Sequence, residues 1–460
     1  MKEAAMHAIR PAAVAGTFYP GERDALSREV AAYLAEAHAG RHAPAYPKAL
    51  VVPHAGYIYS GGVAAQAYAL LRPARGLVRR VVLLGPCHRV AVRGLALPAA
   101  TAFDTPLGRV PIDAGAVQAI ASLPQVGVSA ATHAQEHALE VQLPFLQAVL
   151  GEFSLVPLVV GAASADEVAE VLDALWGGPE TLIVISTDLS HHRRYEDARA
   201  IDARTVASIL AFESGIDHEQ ACGATPLGGL LRAAKRRGME GELLEACNSG
   251  DTAGGRDRVV GYAAFAFREP HAARFGDGHG RTLTGIARGA IGEALGRGAA
   301  AAPADHWLRE QRASFVTLTL GERLRGCIGS LEAHRPLGED VAANARAAAL
   351  RDPRFPPLTA AEFDRIGVEV SVLSSPALLP FGDHDELIAQ LRPGVDGLIL
   401  ACDGRRGTFL PQVWEQLPEP ETFLAHLKQK AGLPAATRTT RCTVWRYEVL
   451  KWREADLKVP

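Results

Sequence analysis

Two apolar runs in this chain of 460 residues end in the same way. ALVV at 49–52 is followed by Pro53 and His54, and VVLLG at 81–85 is followed by Pro86, Cys87 and His88. Parallel strands joined by a crossover point the same way, so their C-terminal ends share one sheet edge, where such folds bind ligands. The 34 residues from His54 to His88 fit one crossover, with a helix starting at Ser60, so both imidazoles can face one site. A third run, TLIVIS, leads into Thr187, Asp188, Leu189, Ser190, His191 and His192, which adds an acid and two imidazoles at that edge. The turn CNSGDTAGG supplies Asp251 as a fourth candidate. Two histidines and one carboxylate form a facial set with open positions, an arrangement suited to non-haem Fe(II), with zinc as an alternative. An uncoordinated imidazole beside such a set, for which His191 is best placed, can act as acid or base near neutral pH.

Plainer roles compete with these. A single histidine after a strand more often hydrogen-bonds a loop than a metal. Asp188 can cap a following helix, and Asp251 can serve its own turn beside Gly250. Cys87 can be a small buried thiol that points away. EHALEVQLPFL reads as a helix, with Glu136 and Glu140 on one face and His137 three residues before Glu140; the two glutamates then form a solvated rim. Three histidine-bearing or acid-bearing exits in one domain favour a shared site.

The elements that must position these residues follow from the hydropathy pattern. From about residue 48 to 268, short apolar runs alternate with amphipathic stretches, the pattern of an α/β sheet with helical crossovers. Strands are expected at 48–53, 80–85, 153–160, 181–186 and 259–267, with helices starting at Ser60, Asp113, near Glu136, at Ser164 and near Glu196. FDTPLGRVPID has proline and glycine placed for a hairpin. Residues 269–282 lack periodicity and are expected to be a linker between a domain at 1–268 and a second at 283–460. The second begins with an alanine-rich helix from Thr282 and contains a loop at 299–304. SFVTLTLGERLRGCIGSL reads as two strands around a turn, Leu337 to Leu350 as a helix, and GVEVSVLSSP as a further strand, giving an α+β domain.

Composition narrows the functional classes. The chain is 48% hydrophobic and 22% charged with net charge −3, so no broad basic surface for nucleic acid or membrane is expected. It has no signal-peptide core and no run of membrane-spanning length, so a cytoplasmic location is expected. The 6 cysteines form no C-x-x-C pair, which argues for reduced thiols and against a zinc ribbon. Of the 16 histidines, 10 precede residue 220, which places the chemistry in the first half.

PHAGYIYSGG, LLGPCHRV, EHALEVQLPFL, STDLSHH and the NSGD turn resemble the Memo family over about residues 9–268. That family is similar in fold to the LigB-type extradiol dioxygenases, which implies a LigB-like central sheet flanked by helices. The resemblance implies that His54 and His88 bind metal, that His191 matches the catalytic histidine, and that Asp188 belongs to the same pocket. Animal Memo proteins place a cysteine in the late turn. Here that place falls to Asp251 or Thr252, with Cys247 several residues earlier. A carboxylate from Asp251 favours iron over copper.

LRGCIGSL, ALRDPRFPPL, VEVSVLSSP, GVDGLIL and TFLPQVWEQ resemble an AMMECR-type domain over about 283–458. Its candidate residues are Arg325, Cys327, Arg351, Asp352 and Arg354. The paired resemblance implies a radical SAM protein as partner. The expected function is a non-haem iron oxidoreductase of the Memo type acting on a small molecule or peptide. A metal-dependent hydrolase and a non-catalytic metal-binding or peptide-binding adaptor are the alternatives.

Overall fold

In a computed structural model the described residues are 9–38, 46–270, 275–298, 303 and 305–457. The chain divides into two compact units, Met1–Pro270 and His271–Pro460. Among the described residues no helix is long and apolar enough to cross a membrane.

The first unit is built on a mixed sheet of nine strands among the described residues. Its centre runs Ala49–Val52, Thr181–Ser186, Arg80–Pro86, Ser154–Val160, all parallel. Val259–Arg268 flanks Ala49–Val52 antiparallel and pairs in turn with Glu240–Asn248. Alternate residues of each central strand enter different cores. Leu50, Val52, Leu83, Leu155 and Val184 pack on one face, while Val51, Val82, Leu84, Val156 and Ile185 pack on the other. Helices Arg23–Glu36, Tyr57–Ala69 and Leu143–Leu150 cover the first face through Leu26, Tyr68 and Phe145; Ala165–Leu175 and Ala224–Arg236 cover the second through Val168 and Leu227. Burial on both faces explains why these strands read as unbroken apolar runs.

The sheet order differs in one consequential way from a single crossover. Thr181–Ser186 lies between the two strands that precede His54 and His88. The parallel sheet is therefore assembled from distant segments, and the middle strand brings its own side chains to the shared edge.

The helix expected at Glu136 is not continuous. Residues 136–139 are irregular, with a turn at 138–139, followed by a short 3-10 segment at Glu140–Gln142 and then Leu143–Leu150, where Pro144 fits the helix start. Glu136 and Glu140 are 2% and 0% exposed, so neither belongs to a solvated rim. The reason is specific pairing. Glu140 accepts hydrogen bonds from Arg10 Nη1 (2.5 Å), Ala13 N (2.8 Å), Val14 N (2.9 Å) and Tyr19 Oη (2.6 Å), and so ties the 10–19 segment to the core. Glu140→Ala leaves the buried Arg10 charge without its partner and is expected to cost about 3–5 kcal/mol. Equilibrium denaturant unfolding measures this, and a cost below about 1 kcal/mol, the range of exposed pairs, would contradict it.

The second unit holds two four-stranded antiparallel sheets. One contains Ser314–Leu320, Arg323–Gly329, Ile366–Leu373 and Val449–Arg453, packed on Asp277–Ala294 and Leu337–Leu350. The other contains Ala377–Leu378, Gly397–Cys402, Arg405–Phe409 and Thr443–Tyr447, packed on His384–Gln390 and Pro420–Lys430. The first helix starts at Asp277, inside the stretch 269–282 expected as a linker and ahead of the Thr282 start. Glycines mask it in the sequence, yet a Cβ at Gly280 would fall 2.3 Å from the Trp452 ring, so the helix needs glycine there to dock. Residues 271–274, and 299–302 and 304 of the expected loop, lie outside the described residues.

Candidate metal centre

His54 follows the strand Ala49–Val52, and His88 follows Arg80–Pro86. Strands two positions apart are separated by roughly 9–10 Å, but the two rings lean together over Ser186 until their centroids are 5.1 Å apart. Hydrogen bonding fixes the tautomer of each. The Ser186 hydroxyl donates to Ala138 O (2.7 Å) and accepts from Gln142 Nε2 (2.8 Å). Its single proton is spent, so its 2.9 Å contact with His54 Nδ1 requires Nδ1 to be the donor. Gln142 is itself oriented by Tyr68 Oη donating to its Oε1 (2.7 Å) and by Nε2 donating to Pro53 O (2.9 Å). His88 Nδ1 lies 2.8 Å from Glu136 Oε1, and a carboxylate only accepts, so His88 Nδ1 also donates. Both Nε2 atoms therefore carry the lone pair. Metal-binding histidines are held in this way, with the second nitrogen given to an oxygen acceptor.

The third donor is Cys222. Its Sγ lies 3.3 Å from His54 Nε2, and His54, His88 and Cys222 each offer a ligand atom with all three within 4.8 Å of one another. Cys222 sits just ahead of the helix Ala224–Arg236. Gly223 makes its approach possible: a Cβ there would fall 2.7 Å from Thr187 Cβ, whereas Gly223 N now donates to Thr187 Oγ1 at 2.8 Å. A second triad of candidate donors, His88, Glu136 and His137, overlaps the first. Its carboxylate is already engaged by His88 N (2.7 Å) and Nδ1 (2.8 Å), so the first set is the better cation site.

Electrostatics suit neutral nitrogen ligands. Burial and the neighbouring His88 hold His54 well below the usual histidine range, and burial with the His54 charge lowers His137 to about 4. Burial alone would raise Glu136, but the hydrogen bond and charge of His88 bring it down to about 2, so it is an anion facing the site. Burial and the nearby Asp188 push the Cys222 thiol up to about 12, and a cation displaces such a proton. His137 stacks on His88 at 4.7 Å, and its buried Nδ1, 3.4 Å from Glu136, has no hydrogen-bond partner among the described residues. Two Nε2 lone pairs that converge with a thiol fit a site built to receive a cation.

The model for Memo-like protein matches residues 10–266. The chain belongs to the Memo family. A MEMO1 family protein of Methanopyrus kandleri is 36% identical over 285 residues, spanning 56% of this chain and 99% of that protein. One from Aquifex aeolicus is 34% identical over 273 residues, again spanning 56% and 99%. The AMMECR1 model matches residues 284–452. An uncharacterized protein of Pyrococcus horikoshii, known as a crystal structure, is 35% identical and covers 38% of this chain and 90% of its own, with a TM-score of 0.34.

Within the Memo unit, Asp188 lies against His54. It is 4% exposed, its Oδ1 accepts from His54 N at 2.7 Å, and its Oδ2 lies 3.9 Å from His54 Nε2. It caps no helix, since the short strand His191–Arg193 follows it. Burial raises its pKa, opposed by the His54 hydrogen bond and by the His191 charge. His191 Nδ1 donates to Leu189 O at 2.8 Å, which frees its Nε2. The strand is irregular here, and His192 has φ 58°, a conformation that costs a non-glycine residue energy and recurs where a side chain must be aimed.

Asp251 is not brought to the histidines. It is exposed, accepts from Tyr195 Oη and, at 3.1 Å, from Asn248 N, and so closes the 3-10 turn Ser249–Asp251. Thr252 Oγ1 donates to Ser249 O at 3.3 Å, and Cys247 lies opposite Tyr262 on the strand pair. Among the described residues neither Asp251 nor Cys247 joins a candidate cation group. Cys87 turns aside to donate to Val90 O. Reading from strand exits missed Cys222 because it precedes a helix rather than ending a strand; the small residues of A-C-G-A were the available signal.

In the AMMECR1 unit, Cys327 N donates to Asp352 Oδ2 (2.8 Å), Arg354 bridges Asp352 (2.7 Å) and Cys327 O (3.1 Å), and Thr317 Oγ1 donates to Cys327 Sγ (3.3 Å). Arg325 pairs with Glu362 at 2.9 Å, and Arg351 caps the end of Leu337–Leu350 and is exposed.

Proposed function

We propose that the Memo unit is a metal-dependent oxidoreductase with a non-haem iron centre held by His54 and His88, with Cys222 and Asp188 beside them. The observation that carries this reading is the pair of imidazoles whose Nε2 lone pairs are both freed by hydrogen bonds at Nδ1 and converge with the Cys222 sulfur. An iron(II) ion there would supply electron transfer to or from a substrate. The chain supplies the rest. Asp188 anchors the His54 backbone, Glu136 orients His88, and His191, with its Nε2 free, takes or returns the substrate proton. Phe18, 4.7 Å from His137, adds an apolar wall. A radical SAM protein is the partner in this reading, as the two-family resemblance implies.

The thiol favours a second reading. A sulfur donor in place of a carboxylate suits zinc or copper(I), and zinc would acidify a bound water for hydrolysis without redox change. Metal analysis and oxygen uptake on protein purified anaerobically separate the two. Iron with substrate-dependent oxygen uptake supports the oxidoreductase; zinc with hydrolysis and no uptake overturns it. His191→Ala is expected to keep the metal and lose about 10²–10⁴ in turnover, the usual worth of a general acid or base.

A further inference from the structure

The second unit contains a polar cavity that the metal centre does not use. The helix Pro420–Lys430 carries Lys428 into it, 4% exposed. An ammonium has three N–H donors, but the hydrogen bond of Lys428 among the described residues is a long one, 3.5 Å to Thr439 Oγ1. Thr439 brings no negative charge. Its Oγ1 is 2.7 Å from His384 Nδ1, and the other ring nitrogen faces both oxygens of Glu421 at 3.0 Å and must carry the proton. In the neutral ring, Nδ1 then accepts from the threonine hydroxyl. Lys428 is thus a buried cation without an ion pair among the described residues, a costly state unless a counter-charge arrives.

The surroundings are polar. The cavity, ≈ 410 Å³, is lined by His384, Lys428, Thr437, Arg438, Thr439 and Thr440 together with Glu421 and small residues. A second cavity of ≈ 560 Å³ adjoins it, sharing Thr437 and Arg438 and adding Arg405, Arg441 and Asp403. The two carboxylates are occupied, Glu421 by His384 and Asp403 by Arg441 at 2.9 Å. Arg438 is exposed and has no ion pair among the described residues.

We propose that these adjoining cavities bind a small organic phosphate carrying at least two anionic groups. One group sits against Lys428 and the Thr439 turn, and the next against Arg438 with Arg405 and Arg441. Phosphate is favoured over carboxylate because a phosphate dianion offers more charge and more acceptor oxygens to the Lys428 ammonium and the guanidinium groups that line the two cavities.

Titration calorimetry on the full chain with ADP, inorganic pyrophosphate and malonate at fixed salt tests this. ADP or pyrophosphate is expected to bind with one site per chain, and malonate to bind more weakly. Lys428→Met is expected to weaken binding about 10- to 100-fold, the worth of a charge-assisted hydrogen bond. Arg438→Gln, a surface change that spares the fold, is expected to weaken it by about tenfold and carries the test if Lys428→Met does not fold. Lack of binding by both phosphates at millimolar concentration, equal binding of malonate, or undiminished binding by the folded variants would overturn the proposal. Both substitutions lie outside the Memo unit, so the result is independent of the metal reading.

Discussion

Alanine at His54 or His88 is expected to abolish metal retention by the Memo unit, whereas Glu136→Gln should reduce it by about 10- to 100-fold. The grading follows from the geometry. Each histidine supplies a lone pair that no other side chain replaces, because the two rings come from separate strands and meet only above Ser186. Glu136 contributes through His88: it accepts from both the backbone N (2.7 Å) and Nδ1 (2.8 Å), fixing ring position and tautomer together. Glutamine keeps the shape but loses the charge that favours a bound cation. Metal content after dialysis against a graded chelator measures all three variants. If Glu136→Gln matched the wild type while His88→Ala lost the metal, the carboxylate would be a packing residue. If both alanine variants kept the ion, the centre would lie elsewhere.

The second large effect separates two candidates for the third ligand. Cys222→Ser is expected to lower affinity for a thiophilic ion by at least about tenfold, since a hard hydroxyl replaces a soft sulfur. Asp251→Ala should leave metal affinity unchanged, because that carboxylate is bound to Tyr195 and Asn248 in its own turn. Competition titrations with Zn²⁺ and Fe²⁺ in both variants provide the measurement. A loss at Asp251 with none at Cys222 would reverse the assignment and return the carboxylate set expected from the turn NSGD.

Much of the sheet was legible. The runs at 49–52, 80–86, 154–160 and 181–186 are strands within a residue or so of their expected limits, because burial on both faces makes each residue apolar and a proline or polar residue then marks the end. The helix Ala165–Leu175 begins at a capping box between Ser164 and Glu167 that is local in sequence. The stretch at 136–142 was less legible. Its spacing of acidic residues matches a helix face, yet each glutamate is claimed by a partner far away in the chain, Glu136 by His88 and Glu140 by Arg10. Periodicity reports which residues share a local face and carries no record of such distant claims.

By itself the sequence determined where imidazoles and acids leave the strands, since solvation and strand length are encoded locally. Only the tertiary structure decided that Thr181–Ser186 slides between the two histidine-bearing strands, that Ser186 and Glu136 set their tautomers, and that Cys222 arrives from ahead of a helix on the strength of Gly223. Those choices depend on strand order and close packing between segments distant in the chain, up to 168 residues from His54 to Cys222, and no local pattern of residue types specifies them.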